Sequence, residues 1–140
     1  MADIVEWLDS DSVGIEDIDK DHQRLVLLAN ALVKSAFEGE KDKFLVQGLS
    51  ELLMFTEEHF TREEKYLEQM AVPTLLEHKL QHKEIVDRLF ELNEQLREGT
   101  LDAVNVATFL MDWLYSHMRG ADHEVFRSIK NRSDEPETTD

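Results

Sequence analysis

TLLEHKLQHKEIVDRLFELNEQLREG, residues 74–99, decides the fold. Histidines and aliphatic residues recur at His78, His82, Ile85, Leu89, Leu92 and Leu96. The spacing alternates between four and three, which is the seam of a helix packed against other helices. Thr74, with Glu77 three residues on, has the pattern of a capping box, and Gly99 marks the stop. The first two seam positions are histidines. Positions i and i+4 share a helix face and suit a common metal ion. The same HxxxH also arises on ordinary helix surface, and the zinc-protease version needs a glutamate where Lys79 stands. The pair therefore takes its meaning from the rest of the chain.

Three further segments carry the same periodicity. The first spans about Ile18 to Phe37, with Ile18, His22, Leu25, Ala29, Leu32 and Ala36 on one face and Gly39 as its stop. The second spans about Asp42 to Gln69, with Leu45, Leu52, Phe55, His59, Glu63 and Tyr66, and AVPT (71–74) breaks it. The last spans about Leu101 to Lys130, with Asp102 as N-cap and Val106, Leu110, Trp113, Leu114 and His117 inward. Long helices with short connections predict an all-α fold, an antiparallel up-down-up-down four-helix bundle. An irregular N-terminal arm (1–17) carries Trp7, the bundle occupies 1–130, and 131–140 reads as a disordered acidic tail.

Composition removes several function classes. A net charge of −16 argues against nucleic acid or an anionic membrane as partner. With no cysteine there is no disulfide framework, no thiolate nucleophile and no Cys-ligated cluster. No apolar run is long enough to span a bilayer. The acidic N-terminus lacks a signal pattern, so the expected compartment is the cytoplasm.

One inward histidine on an apolar face is usually a satisfied core residue. Here five of the six, His22, His59, His78, His82 and His117, fall on inward stripes of all four helices. Each buried imidazole must find partners for both nitrogens, and an apolar bundle offers few. Glu63 follows His59 on its stripe, and Asp122 follows His117 by five. Five imidazoles and two carboxylates are too many for one ion. Two metals bridged by the carboxylates would use them all. The donor set suits iron, and also zinc, manganese or copper; spacing does not choose among them.

DIDKDHQRL around His22, HFTREE with His59 and Glu63, HKLQH with His78 and His82, and HMRGAD with His117 and Asp122 together resemble the hemerythrins, most closely the bacterial ones. The resemblance covers about residues 1–130. It implies a metal centre of two non-haem iron ions bridged by an oxo or hydroxo group, with O2 as reversible ligand and no enzyme activity. His78, His82 and His117 would hold one iron, and His22 and His59 the other, which keeps an open position. Glu63 and Asp122 would bridge. His123 matches no ligand position and is expected at the surface or behind the ligands. Leu25, Phe55, Trp113 and Leu114 would keep water away. The implied role is O2 storage, transport or delivery by a monomer, with a protein partner that receives the O2. The other classes open on the same centre are a redox-sensing module and an enzyme acting on peroxide, nitric oxide or Fe(II).

The last helix carries one irregularity. In a regular α-helix His117 and Asp122 would lie about 140° apart and could hardly meet one site. The inward residues after them, Asp122, Val125, Phe126 and Ile129, each fall one position late. One extra residue in a turn restores both, so a π-bulge is expected between about Trp113 and Phe126, eased by Gly120.

Overall fold

The computed structural model describes residues 5–38, 42–100 and 102–134. Among these the regular structure is helical, and none is strand. After a short 3-10 turn (Asp9–Asp11) come α1 (Glu16–Phe37), α2 (Asp42–Gln69) and α3 (Leu75–Arg97). The fourth bundle helix has three parts: α4 (Ala103–Trp113), a π-helical stretch (Leu114–Asp122) and α5 (His123–Asp134). α2 packs between α1 and α3, and α4 packs on α1, which closes an antiparallel four-helix bundle. No described helix is long and apolar enough to cross a membrane.

The helix ends follow the sequence with one exception. Asp102 caps α4, its Oδ1 accepting from the Val104 amide at 2.8 Å. α3 closes in a Schellman motif: the Thr100 amide donates to the Gln95 carbonyl and Gly99 to Leu96, with Gly99 at φ +74°. α2 closes the same way, with Val72 donating to Leu67 and Ala71 to Glu68. There the left-handed position is occupied by Ala71 at φ 53°, where glycine would be unstrained. The exception is Thr74. Its side chain makes no cap bond, so the expected capping box does not form. The stop expected at Gly39 and the start at Leu101 lie outside the described residues. The final helix runs on to Asp134, past the expected boundary at 130.

The interior is layered. A larger apolar cluster holds Leu25, Ala29, Leu32, Leu49, Leu52, Phe60, Leu89, Leu92, Leu110, Trp113 and Leu114. A smaller one, of Ile18, Leu67, Val72, Val125, Phe126 and Ile129, fills the end nearest the α2–α3 turn. Leu52, Leu89, Leu92, Leu110 and Leu114 are fully buried. Each contributes about 1.5–3 kcal/mol by leaving water. Between the two clusters every helix turns polar.

The arm is bound to the bundle. Val5 exchanges two hydrogen bonds with the Asn30 side chain on α1, at 3.2 and 2.8 Å. Asp19, in the first turn of α1, accepts from the Val13 amide and the Ser12 hydroxyl. Trp7 packs on the larger cluster.

Candidate metal centre

All seven residues singled out in the sequence meet in the polar layer. His22, His59, Glu63, His78, His82, His117 and Asp122 are buried, none more than 6% exposed. Their ligand atoms form two groups. One joins Glu63, His78, His82, His117 and Asp122; the other joins His22, His59, Glu63 and Asp122. Within each group the atoms lie within 4.8 Å of one another.

The carboxylates stand between the groups. Glu63 Oε1 is 3.1 Å from His78 Nε2 and 3.2 Å from His82 Nε2. Its Oε2 is 3.2 Å from His22 Nε2 and 3.0 Å from His59 Nε2. Asp122 Oδ1 is 2.7 Å from His78 Nε2 and 3.0 Å from His117 Nε2, while Oδ2 is 3.2 Å from His22 Nε2. Each carboxylate thus aims one oxygen at each histidine group. Local geometry explains the delivery. His59 and Glu63 are four apart on α2, and His78 and His82 four apart on α3, so each pair shares a face. His117 and Asp122 are five apart, and both belong to the π-helical stretch Leu114–Asp122, as the late phase of the sequence required. Close packing does not require a glycine at Gly120. A Cβ there would meet nothing nearer than the Tyr115 carbonyl oxygen at 3.9 Å, ordinary contact.

The outer nitrogens show that the site asks for cations. His59 Nδ1 donates to Asp21 Oδ2 at 3.0 Å, and His82 Nδ1 donates to Glu64 Oε2 at 2.8 Å. With the ring proton committed outward, each Nε2 carries a lone pair directed at the Glu63 carboxylate. His82 Nε2 and His117 Nε2 also face each other at 2.9 Å. Lone pairs and anionic oxygens cannot share so small a dry volume without cations between them. Extra protons can serve. Burial disfavours the charged ring of His22, but Asp122 and Glu63 override it and raise its pKa to about 10. Burial also opposes charge on His78 and His59; Asp122 and Glu63 raise His78 to about 9 in spite of it, and Asp21 and Glu63 raise His59. Burial pushes Glu63 and Asp122 toward the neutral acid; for Glu63 the imidazoles of His22, His59, His78 and His82 reverse this, and for Asp122 the imidazoles of His117 and His22 do, so both lie well below the ordinary carboxylate range. Two divalent cations would meet the same demand, and this nitrogen–oxygen donor set fits them. His22 Nδ1 is buried with no hydrogen-bond partner among the described residues.

Several contributors were not legible in the sequence. Phe60, not Phe55, is the aromatic wall: its ring stacks on His82 at 3.7 Å between centroids and 2° between planes. Phe55 is half-buried, with the Arg62 guanidinium 5.6 Å from its ring centroid. α2 faces both α1 and α3, so its buried face is wider than one stripe and takes in Leu49, Thr56, Phe60 and Leu67. Tyr66 and Ala36, expected inward, are half-buried. Asp21 serves His59 on another helix rather than its neighbour His22. Arg62 clamps Asp21 through Nε at 2.8 Å and Nη2 at 2.9 Å. Burial pushes the Asp21 carboxyl up, yet His59 and Arg62 bring it below its ordinary value. Only the adjacency of acidic residues to the histidine motifs hinted at Asp21 and Glu64. His123 is no part of the cluster; its Nε2 donates to the Ser10 carbonyl at 2.9 Å.

Comparison with known proteins agrees with this geometry. The family described as "Hemerythrin HHE cation binding domain" matches residues 13–129. A bacteriohemerythrin of Stenotrophomonas maltophilia is 26% identical over 127 residues, covering 91% of this chain and 82% of the relative. One from Clostridium acetobutylicum is 28% identical over 123 residues, covering 84% and 95%. The myohemerythrin of Riftia pachyptila is 28% identical over 116 residues, covering 83% and 86%.

Proposed function

The chain belongs to the hemerythrin family, and on that premise we propose that its polar layer holds two non-haem irons and binds O2 reversibly. The observation that carries this reading is the pair of split carboxylates. Glu63 and Asp122 each present one oxygen to the three-histidine group and one to the two-histidine group. His78, His82 and His117 would hold the first iron and His22 and His59 the second, with Glu63 and Asp122 each offering an oxygen to both. The second group offers fewer protein ligands, so a metal held there would keep room for O2.

Bound iron supplies reversible electron transfer to O2. The protein's part is to fix the donors and keep the layer dry. Asp21 and Glu64 hold the rings of His59 and His82 with Nε2 inward, as outer partners of ligating histidines do. Leu25, Phe60, Trp113 and Leu114, all at most 5% exposed, seal the layer on the larger-core side, and Ile18, Leu67 and Val125 on the other. Exclusion of water slows loss of electrons from the reduced centre. Five neutral imidazoles against two carboxylates disfavour the higher iron oxidation states that O–O cleavage needs. That favours a binding protein over an enzyme.

The test is anaerobic reconstitution with Fe(II), then air, then argon. The expected result is two irons per chain and a visible band that grows in air and fades under argon. One iron or none would overturn the di-iron reading. A band that does not reverse, or steady consumption of O2 with a reductant, would overturn reversible binding.

A further inference from the structure

The stretch that carries His117 and Asp122 is tied from outside by the N-terminal arm. Arg119 lies between the two in sequence, and its guanidinium grips Asp11. Nε donates to Oδ1 at 2.7 Å and Nη2 to Oδ2 at 3.0 Å. Nη2 also donates to the Glu6 carbonyl, and the guanidinium lies 4.5 Å from the Tyr115 ring centroid. Asp11 is only 5% exposed and also accepts from the Leu8 amide at 2.9 Å, so the arm presents a fixed carboxylate. Burial opposes its charge, and Arg119 outweighs the burial, leaving Asp11 below its ordinary value. Immediately after Asp122, His123 donates to Ser10. Asp122 is therefore flanked on both sides by side chains bound to the arm.

We propose that Arg119 is a positioning residue for the metal centre: its ion pair with Asp11 ties the arm across the π-helical stretch and holds the register that turns His117 and Asp122 inward together. This rests on the di-iron reading above. A π turn is rare and appears mostly as a local bulge within an α-helix. Relaxing it by one residue rotates all that follows by about 100° and takes Asp122 off the His117 face. Val125, Phe126 and Ile129 resist that rotation from within the core. The arm resists it from the opposite side, at the ligands themselves.

The experiment compares Arg119→Gln, Asp11→Asn and Arg119→Lys with Leu45→Ala, a core truncation in the first turn of α2. Hydrogen exchange of the iron-free proteins is read by mass spectrometry, and Fe(II) uptake is titrated separately. Losing the partner of a buried charge should speed exchange of residues 114–122, relative to α3, by at least about tenfold in Arg119→Gln and Asp11→Asn. Fe(II) affinity should fall by about tenfold or more, as for other outer partners of metal ligands. Arg119→Lys, which keeps the charge but not the fork, should fall between. Leu45→Ala should lower stability without selective exchange at 114–122. If Arg119→Gln does not fold, Asp11→Asn, which leaves the guanidinium in place, decides. Exchange that rises evenly along the chain, or iron uptake equal to wild type, overturns the proposal. Failure of the wild type to take up iron overturns the di-iron reading and leaves the exchange result to judge the clamp.

Discussion

α3 and the fourth helix each supply two candidate ligands, and they do so in opposite ways. α3 is regular from Leu75 to Arg97, and its histidines, four apart, continue the spacing of its own core seam. The fourth helix places His117 and Asp122 five apart and needs a π-helical stretch to aim both inward. In α3 the polar layer is one more rung of the hydrophobic pattern. In the fourth helix it interrupts the pattern, and everything after it is reset by one residue. A ligand pair that matches the helix repeat needs no irregular turn, only a partner such as Glu64 to orient a ring. A pair that does not match it requires an unusual turn, and here Arg119 and His123 bind that turn to the arm.

The largest expected effect breaks the regular partner. An alanine inserted between Lys79 and Leu80 would rotate His82, Ile85, Leu89, Leu92 and Leu96 by about 100° relative to His78. Leu89 and Leu92 are fully buried, so their exposure removes several contributions of about 1.5–3 kcal/mol each. A domain of this size has about 5–15 kcal/mol in total. No cooperative thermal unfolding and no bound iron are expected. A folded protein with two irons would show that the α3 seam does not set the register.

His82→Ala and His117→Ala come next, one ligand from each helix. Both should drop iron content to one per chain or none, and both should lose the stabilisation that metal gives the fold. His82→Ala should melt lower, because Phe60 loses its stacked partner and a buried cavity opens, worth about 2–5 kcal/mol. Equal melting temperatures would mean that the stacked ring contributes little. Glu64→Gln keeps a hydrogen-bond partner for His82 and should retain two irons. Glu63→Ala removes oxygens from both histidine groups and should not.

Much of this contrast can be read from the sequence, for a physical reason. Periodicity reports what a helix buries, so the bundle, the seven inward polar residues and the late phase after His117 are all visible in one chain. Periodicity says nothing about which neighbour a side chain meets. Asp21 reaching across to His59, Glu64 to His82 and Asp11 to Arg119 depend on how the helices and arm are set against one another. Phe60 was hidden for a related reason: a helix between two neighbours buries more than one stripe. The capping pattern at Thr74 failed because its backbone, at φ −94° and ψ 16°, is not in the extended conformation typical of an N-cap.

A smaller effect concerns protons. In iron-free protein His22 and His78 have pKa values raised to about 10 and about 9 by Asp122 and Glu63, against the opposing effect of burial. A raised pKa favours the folded state while the ring is charged. That contribution is complete below about pH 6.5, the usual value for a free histidine. It fades as pH rises through about 9 and then about 10. Iron-free protein should therefore unfold more easily at pH 10 than at pH 7, and iron uptake near neutrality should release protons. Asp122→Asn removes the charge that the fourth helix contributes and should flatten the pH profile. An iron-free protein equally stable at pH 7 and pH 10 would contradict the assignment of charge to these rings.

The smallest effect is expected where the fourth helix is made to resemble α3. Deleting Ala121 leaves His117 and the following aspartate four apart, the spacing of His78 and His82. It also brings Val125, Phe126 and Ile129 forward by one, onto the phase set by Leu110 and Leu114. The extra residue of the π turn is then gone, and a plain α-helix satisfies both core and ligands. Ala121 is half-buried and lacks a large side chain, so little packing is lost. Arg119 precedes the deletion and keeps its place opposite Asp11. Two irons per chain and a change in stability of about 1–2 kcal/mol or less are expected, in the range of ordinary single substitutions. Backbone amide shifts should report continuous α-helix through residues 114–126. If iron is lost while the protein remains folded, the π geometry itself shapes the site, and the two helices differ in more than the bookkeeping of one residue.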